Sequence, residues 1–232
     1  MQQLLEIQKQ LRAAATTSPE NVARFFKTAP DQYGAHDRFL GVTVPVIRKI
    51  TQQYQAMLLF EIQELLQSAY NEDRLAALII LVNQYQKADQ TLKEAIFQMY
   101  LSQTAQVNNW NLVDSSAHLI VGAHLFAQDR SLLLQLTQSH NLWERRIAIV
   151  ATWYFIRQGD LDWTFTIAKI LLCDSHDLIH KAVGWMLREA GKQDQKMLRL
   201  FLNEYAYMMP RTMLQYAIEK FDKEERAKYL SQ

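Results

Sequence analysis

EDRLAALIILVNQYQKAD (Glu72–Asp89), ERRIAIVATWYFIRQGD (Glu144–Asp160) and HKAVGWMLREAGKQD (His180–Asp194) share one plan: a basic residue near the start, two to three apolar turns, and a polar turn ending in Asp. Aligning Arg74, Arg146 and Lys181 gives separations of 72 and 35 residues, with the missing step near Trp110. A period of roughly 36 residues built from helix pairs is the signature of an α-solenoid, where each unit buries its apolar face against its neighbours. The expectation is an all-α single domain over residues 1–232, with about thirteen or fourteen helices in antiparallel pairs and an inner series lining a concave groove. Trp110, Asp114, Arg146, Lys181, Trp185 and Arg188 all fall in that inner series.

The flanking sequence fits helices. Gln2 to Ala14 spaces its apolar residues as an amphipathic helix, and Ser18-Pro19-Glu20 is an N-cap with Pro at the first helical position. Lys27 to Thr43 is a loop broken by Pro30, Gly34 and Gly41, anchored by Phe39-Leu40, and a loop of this length is more often functional than idle. Outer helices are expected over residues 90–103, 130–139, 161–172 and 196–208, with a charged terminal helix from Lys223.

Composition narrows the class. With 49% hydrophobic residues in 232, the chain can bury a large core, and 6 Gly and 4 Pro are too few for a turn-rich β architecture. Cys173 stands alone in the apolar run AKILLCD, which predicts a packed thiol with no internal disulfide and a reducing compartment. There is no basic-then-apolar leader and no apolar run approaching the roughly 20 residues of a membrane span, so a cytoplasmic protein with no membrane partner is expected. The net charge of +1 means that any cationic surface must come from arrangement. The six His lack metal-ligand spacing, so neither metal nor cofactor is expected.

NNWNLVDSSA (Asn108–Ala117) places an indole and a carboxylate, Trp110 and Asp114, on one helix face, with Asn109 suited to cap that helix. An Asp inside a helix has poor propensity and is costly to bury alone, so it should be solvated, paired or functional. In NLWERRIAIV, Arg145 and Arg146 sit in a first turn, against the helix dipole, which points to an anion nearby: Glu144 and neighbouring acids, or a phosphate. In HDLIHKAVGWMLREAGK, Lys181 and Arg188 flank Trp185 on one face, and Gly184 costs helix stability unless another backbone approaches it.

These stretches, with FLGVTVPVIRK (Phe39–Lys49) and MPRTMLQYAIEKF (Met209–Phe221), resemble the AlkD-type DNA alkylation-repair glycosylases over nearly the whole chain, from about Pro19 to Leu230. The resemblance implies a solenoid of HEAT-like repeats that holds duplex DNA in its groove and excises N3- or N7-alkylated purines. It places the cleft's two tryptophans, aspartate and arginines on Trp110, Trp185, Asp114, Arg146 and Arg188. Arg146, Lys181 and Arg188 also recur at matching ends of the inner helices, and they and Arg145 are the cations expected to bind DNA. The expected partner is double-stranded DNA with alkylated bases, bound by a monomer. A non-catalytic relative that binds unusual or branched DNA is the alternative; a protein-binding HEAT scaffold would need none of Asp114, Arg146 or Arg188.

Overall fold

The structure, a computed structural model, describes residues 2–231, and among them there are fifteen α-helical segments and no strand. The one β-type contact among them is an isolated bridge between Arg38 and Tyr70. The chain divides into two compact units, Met1–Ser116 and Ala117–Gln232.

The first unit holds α1 (Gln2–Ala13), α2 (Pro19–Ala23), α3 (Val44–Thr51), α4 (Leu59–Leu66), α5 (Asn71–Lys87), α6 (Gln90–Ser102) and most of α7 (Trp110–Ala117). Helix α5 is its centre, packed against α1, α3, α4 and α6. That position explains its sequence: a helix covered on several sides is apolar nearly all round, and Leu75 to Leu78, Ile80 and Leu81 are all buried. By contrast α1 is one-sided and buries Leu4, Ile7 and Leu11, spaced at three and four residues.

In the second unit the helix continues through a π-helical turn (His118–Gly122) into α8 (Ala123–Leu125). There follow α9 (Ser131–Thr137), α10 (Leu142–Arg157), α11 (Asp162–Ile170), α12 (Asp177–Gln193), α13 (Gln195–Tyr205), α14 (Arg211–Ala217) and α15 (Lys223–Leu230). Helices α10, α12 and α14 pack in series, and α9, α11 and α13 pack beside them, which is the helical-repeat plan.

The repeat register differs by one residue from the sequence alignment. Arg74 donates to the carbonyl of Ser68 at 2.8 Å and Arg145 to that of Ser139 at 2.9 Å, in each case six residues back, and His180 Nε2 meets the carbonyl of Asp174 in the same way. The same three turns are closed by a second bond, from the N–H two residues on, to Ser68 Oγ, Ser139 Oγ and Asp174 Oδ1. The structural equivalents are therefore Arg74, Arg145 and His180. The apolar pattern could not resolve this, because the first helical turn tolerates a one-residue shift, whereas a donor aimed at one carbonyl does not.

Gly184 has the close approach its presence suggests. A Cβ there would lie 2.4 Å from the Met213 carbonyl oxygen and 2.5 Å from Tyr216 Cβ, so α12 and α14 meet backbone to backbone. Gly184→Ala is expected to cost about 1–3 kcal/mol by forcing these helices apart, opposite in sign to the gain of up to about 1 kcal/mol for Gly→Ala in an open helix. Denaturant unfolding decides between the two signs. Cys173, expected to be packed, is exposed: it ends a 3-10 turn (Leu171–Cys173) whose two leucines take the buried positions.

Candidate functional site

Helix α7 starts where its cap is held. Asn109 is fully buried; its Oδ1 accepts the Trp110 N–H at 2.7 Å and its Nδ2 donates to Asp37 at 2.5 Å. Leu112, Val113 and Ser116 are buried, which leaves Trp110, Asn111, Asp114 and Ser115 half-exposed on the opposite side. The indole and the carboxylate thus share the outward face, one turn apart.

Asp37, from the loop before α3, anchors this arrangement. Besides Asn109 it accepts from Asn71 at 3.0 Å and pairs with Arg74, which is itself 2% exposed. Asn71 exchanges hydrogen bonds with Asn111 on α7, at 2.7 and 3.4 Å. One buried carboxylate therefore ties the starts of α5 and α7 to one point. The adjacent Glu72 accepts the backbone N–H groups of Leu40 and Gly41 at 2.9–3.0 Å and pins the same loop.

Aromatic contacts fix the indole. Phe26 stacks on Trp110 with ring centroids 5.1 Å apart and planes within 13°, and Phe26 also stacks on Phe39 at 4.7 Å. Tyr100, fully buried, bonds Ser116 on α7 at 2.9 Å. Burial pushes its phenol well above the ordinary value, and the charge of Asp114 adds to the effect.

The second unit holds the other residues singled out from the sequence. Trp185 on α12 is half-buried and meets Trp153 of α10 edge-on, centroids 5.0 Å apart, and Trp153 lies 4.5 Å from the ring of His118 in the π-helical turn. Arg188 pairs with Glu219 and with Glu189, and Lys181 pairs with Asp177 at 2.7 Å. Arg145 pairs with Asp174 at 2.6 Å as part of the repeat clamp. Arg146 is 5% exposed and donates to the carbonyl of Leu178, joining α10 to the first turn of α12.

The family model described as DNA alkylation repair enzyme matches residues 7–221. The chain belongs to that family. A solved structure, a predicted DNA alkylation repair enzyme from Enterococcus faecalis, has the same fold, with a TM-score of 0.69 at 17% identity over 90% of this chain and 98% of that one. No curated protein matches the chain. Membership places the chain in the repair of DNA alkylation damage, and among the described residues no helix is long and apolar enough to cross a membrane.

In this alkylation-repair chain the sequence singled out the two tryptophans, Asp114 and the cations, but not what holds them. Asp37, Asn71, Phe26 and His118 were missed. Phe39 had a signal, as an apolar anchor in a polar loop; Asp37 had none, because its partners lie 34 to 72 residues away. Arg145 and Arg146 differ in use: the first closes a turn and the second is a buried brace between helices.

His176 supplies a pH-dependent element beside the clamp. Its Nδ1 accepts the Leu178 N–H at 3.1 Å and caps α12, which requires that nitrogen to stay unprotonated. Burial, the largest influence, holds its pKa below the usual 6.5; Asp174 opposes this and Arg145 adds to it. The folded state thus takes up this proton at lower pH than the unfolded chain. The cap's contribution is full above about pH 6.5 and is lost as pH falls toward the folded pKa. His176→Asn keeps a capping oxygen and cannot titrate, so it should reduce the stability difference between about pH 7.5 and about pH 5.5, by up to roughly 1 kcal/mol. An unchanged difference in denaturant midpoint would assign the pH effect to other groups.

Proposed function

We propose that the chain is a DNA N-glycosylase that releases cationic N3- and N7-alkylated purines from duplex DNA, opening base excision repair. The observation that carries this reading is the fixed Trp110–Asp114 face of α7: a half-exposed carboxylate and indole, one turn apart, on a helix whose first residue is locked by a buried network.

The chemistry needs little else. An alkylated purine with a formal positive charge is already a good leaving group, so no acid is required to protonate it. As the C1′–N bond breaks, its electron pair returns to the purine, which departs neutral, and positive charge grows on the sugar. The Asp114 carboxylate stabilises that charge and accepts a proton from the water whose oxygen bonds C1′. The indole faces of Trp110 and Trp185 contribute contact and roughly 0.5–2 kcal/mol each toward the developing cation. Arg188 and Lys181 hold phosphates by exchanging their present carboxylate partners for them, so each adds less to affinity than an unpaired cation would. Arg146, buried, acts by setting the start of α12. The reading needs no metal and no cofactor.

The test is release of free base from N-methylated duplex DNA, with abasic sites counted in parallel. Release well above the spontaneous rate supports the reading. Tight binding with no release above that rate would replace it with a non-catalytic protein that binds DNA structures.

A further inference from the structure

The turn after α2, Arg24-Phe25-Phe26-Lys27, has features that packing within the first unit does not explain. Phe25 is 77% exposed, the most exposed large hydrophobic residue among those described. Arg24 and Lys27 beside it are exposed and have no acidic partner among the described residues. Arg145, Lys181 and Arg188 in the second unit, by contrast, are all paired with carboxylates. From Glu20 to Lys49 the sequence carries five cations, Arg24, Lys27, Arg38, Arg48 and Lys49, against three acids, Glu20, Asp31 and the buried Asp37, so this stretch is locally basic in a chain of net charge +1.

The turn is also held in an uncommon conformation. Lys27 has φ 47°, the left-handed region that side chains seldom adopt, and its carbonyl accepts the Gly34 N–H at 3.2 Å. A Cβ at Gly34 would lie 2.3 Å from the Phe26 carbonyl oxygen, so the following loop closes directly over the turn. Phe26 points inward onto Trp110, at 5.1 Å, while Phe25 remains in solvent. An exposed ring with a cation on either side is thereby fixed one residue from the contact that orients the candidate catalytic indole.

We propose that Arg24-Phe25-Phe26-Lys27 is a DNA-docking element: the Phe25 ring packs on a sugar and base face of the duplex beside the lesion, and Arg24 and Lys27 hold the flanking phosphates. This rests on DNA being the substrate, as proposed above. Charge selects this partner. Unpaired cations gain from the phosphate backbone through counterion release, and an aromatic face gains from a base of any sequence. Phe25 plays no part in the chemistry; it seats the duplex.

The test is fluorescence anisotropy of a labelled, undamaged duplex at two salt concentrations, with base release measured alongside. Phe25→Ser is expected to weaken binding about tenfold or more without changing the salt slope, and Phe25→Trp to restore it. The double variant Arg24→Ala/Lys27→Ala should lower the slope by about two phosphate contacts. Because all three side chains are exposed, thermal midpoints should match wild type. Wild-type affinity in Phe25→Ser, or an unchanged slope in the double variant, overturns the proposal and leaves the glycosylase reading intact if wild type still releases base. Weakened binding in these variants upholds it, even if the wild type proves unable to release any alkylpurine.

Discussion

Asp114→Asn is expected to slow release of 7-methylguanine from duplex DNA by about 10²-fold or more, the usual scale for losing one electrostatic group aimed at developing charge. Asn keeps the shape of the side chain and its capacity for hydrogen bonds, so folding and duplex affinity stay close to wild type. That separation is what distinguishes a catalytic carboxylate from a structural one. Single-turnover base release measures the first quantity, and anisotropy and denaturant unfolding the others. Trp110→Ala and Trp185→Ala are expected to cost less individually, because each removes contact rather than a full charge. An Asp114→Asn protein with wild-type release would move the chemistry away from α7.

Asp37→Ala has the largest expected effect on stability, about 3–5 kcal/mol, the scale for breaking a buried ion pair by removing one partner. It leaves Arg74 charged at 2% exposure, and it takes the acceptor from Asn71 and from Asn109, the cap of α7. The cost is expected to fall in Asp37→Leu/Arg74→Met, because replacing both partners by apolar groups removes the stranded charge. Base release by the double variant should still be impaired, because Trp110 then starts a helix whose cap is no longer held. A single-variant loss below about 1 kcal/mol in denaturant unfolding would contradict the role assigned to this network.

What could be read from the sequence divides along physical lines. Helix positions, the shared face of Trp110 and Asp114, and the close approach at Gly184 follow from local rules: apolar period, i,i+4 geometry and the cost of glycine in a helix. The family resemblance was carried by motifs in linear order. The use of neighbouring cations was not readable, because Arg145 and Arg146 are alike in composition and position, and only the aim of each guanidinium, at the carbonyls of Ser139 and Leu178, separates them. The supporting network was not readable either, since Asp37 joins Asn71, Arg74 and Asn109 across the chain and leaves no periodic trace. Cys173 shows the limit of an apolar run as a guide: the run continues, but the helix has already ended.

The central claim is that the charge of the alkylated base does the work of an acid, so that one carboxylate suffices. It is tested most directly by comparing a duplex carrying 7-methylguanine with the same duplex carrying 7-methyl-7-deazaguanine, an isostere in which carbon replaces the charged nitrogen. Rapid release of the first base, no detectable release of the second, and similar affinity for the two duplexes are expected. Comparable release of both would contradict it, because the neutral base could leave only with help from an acid, and the proposed site uses none.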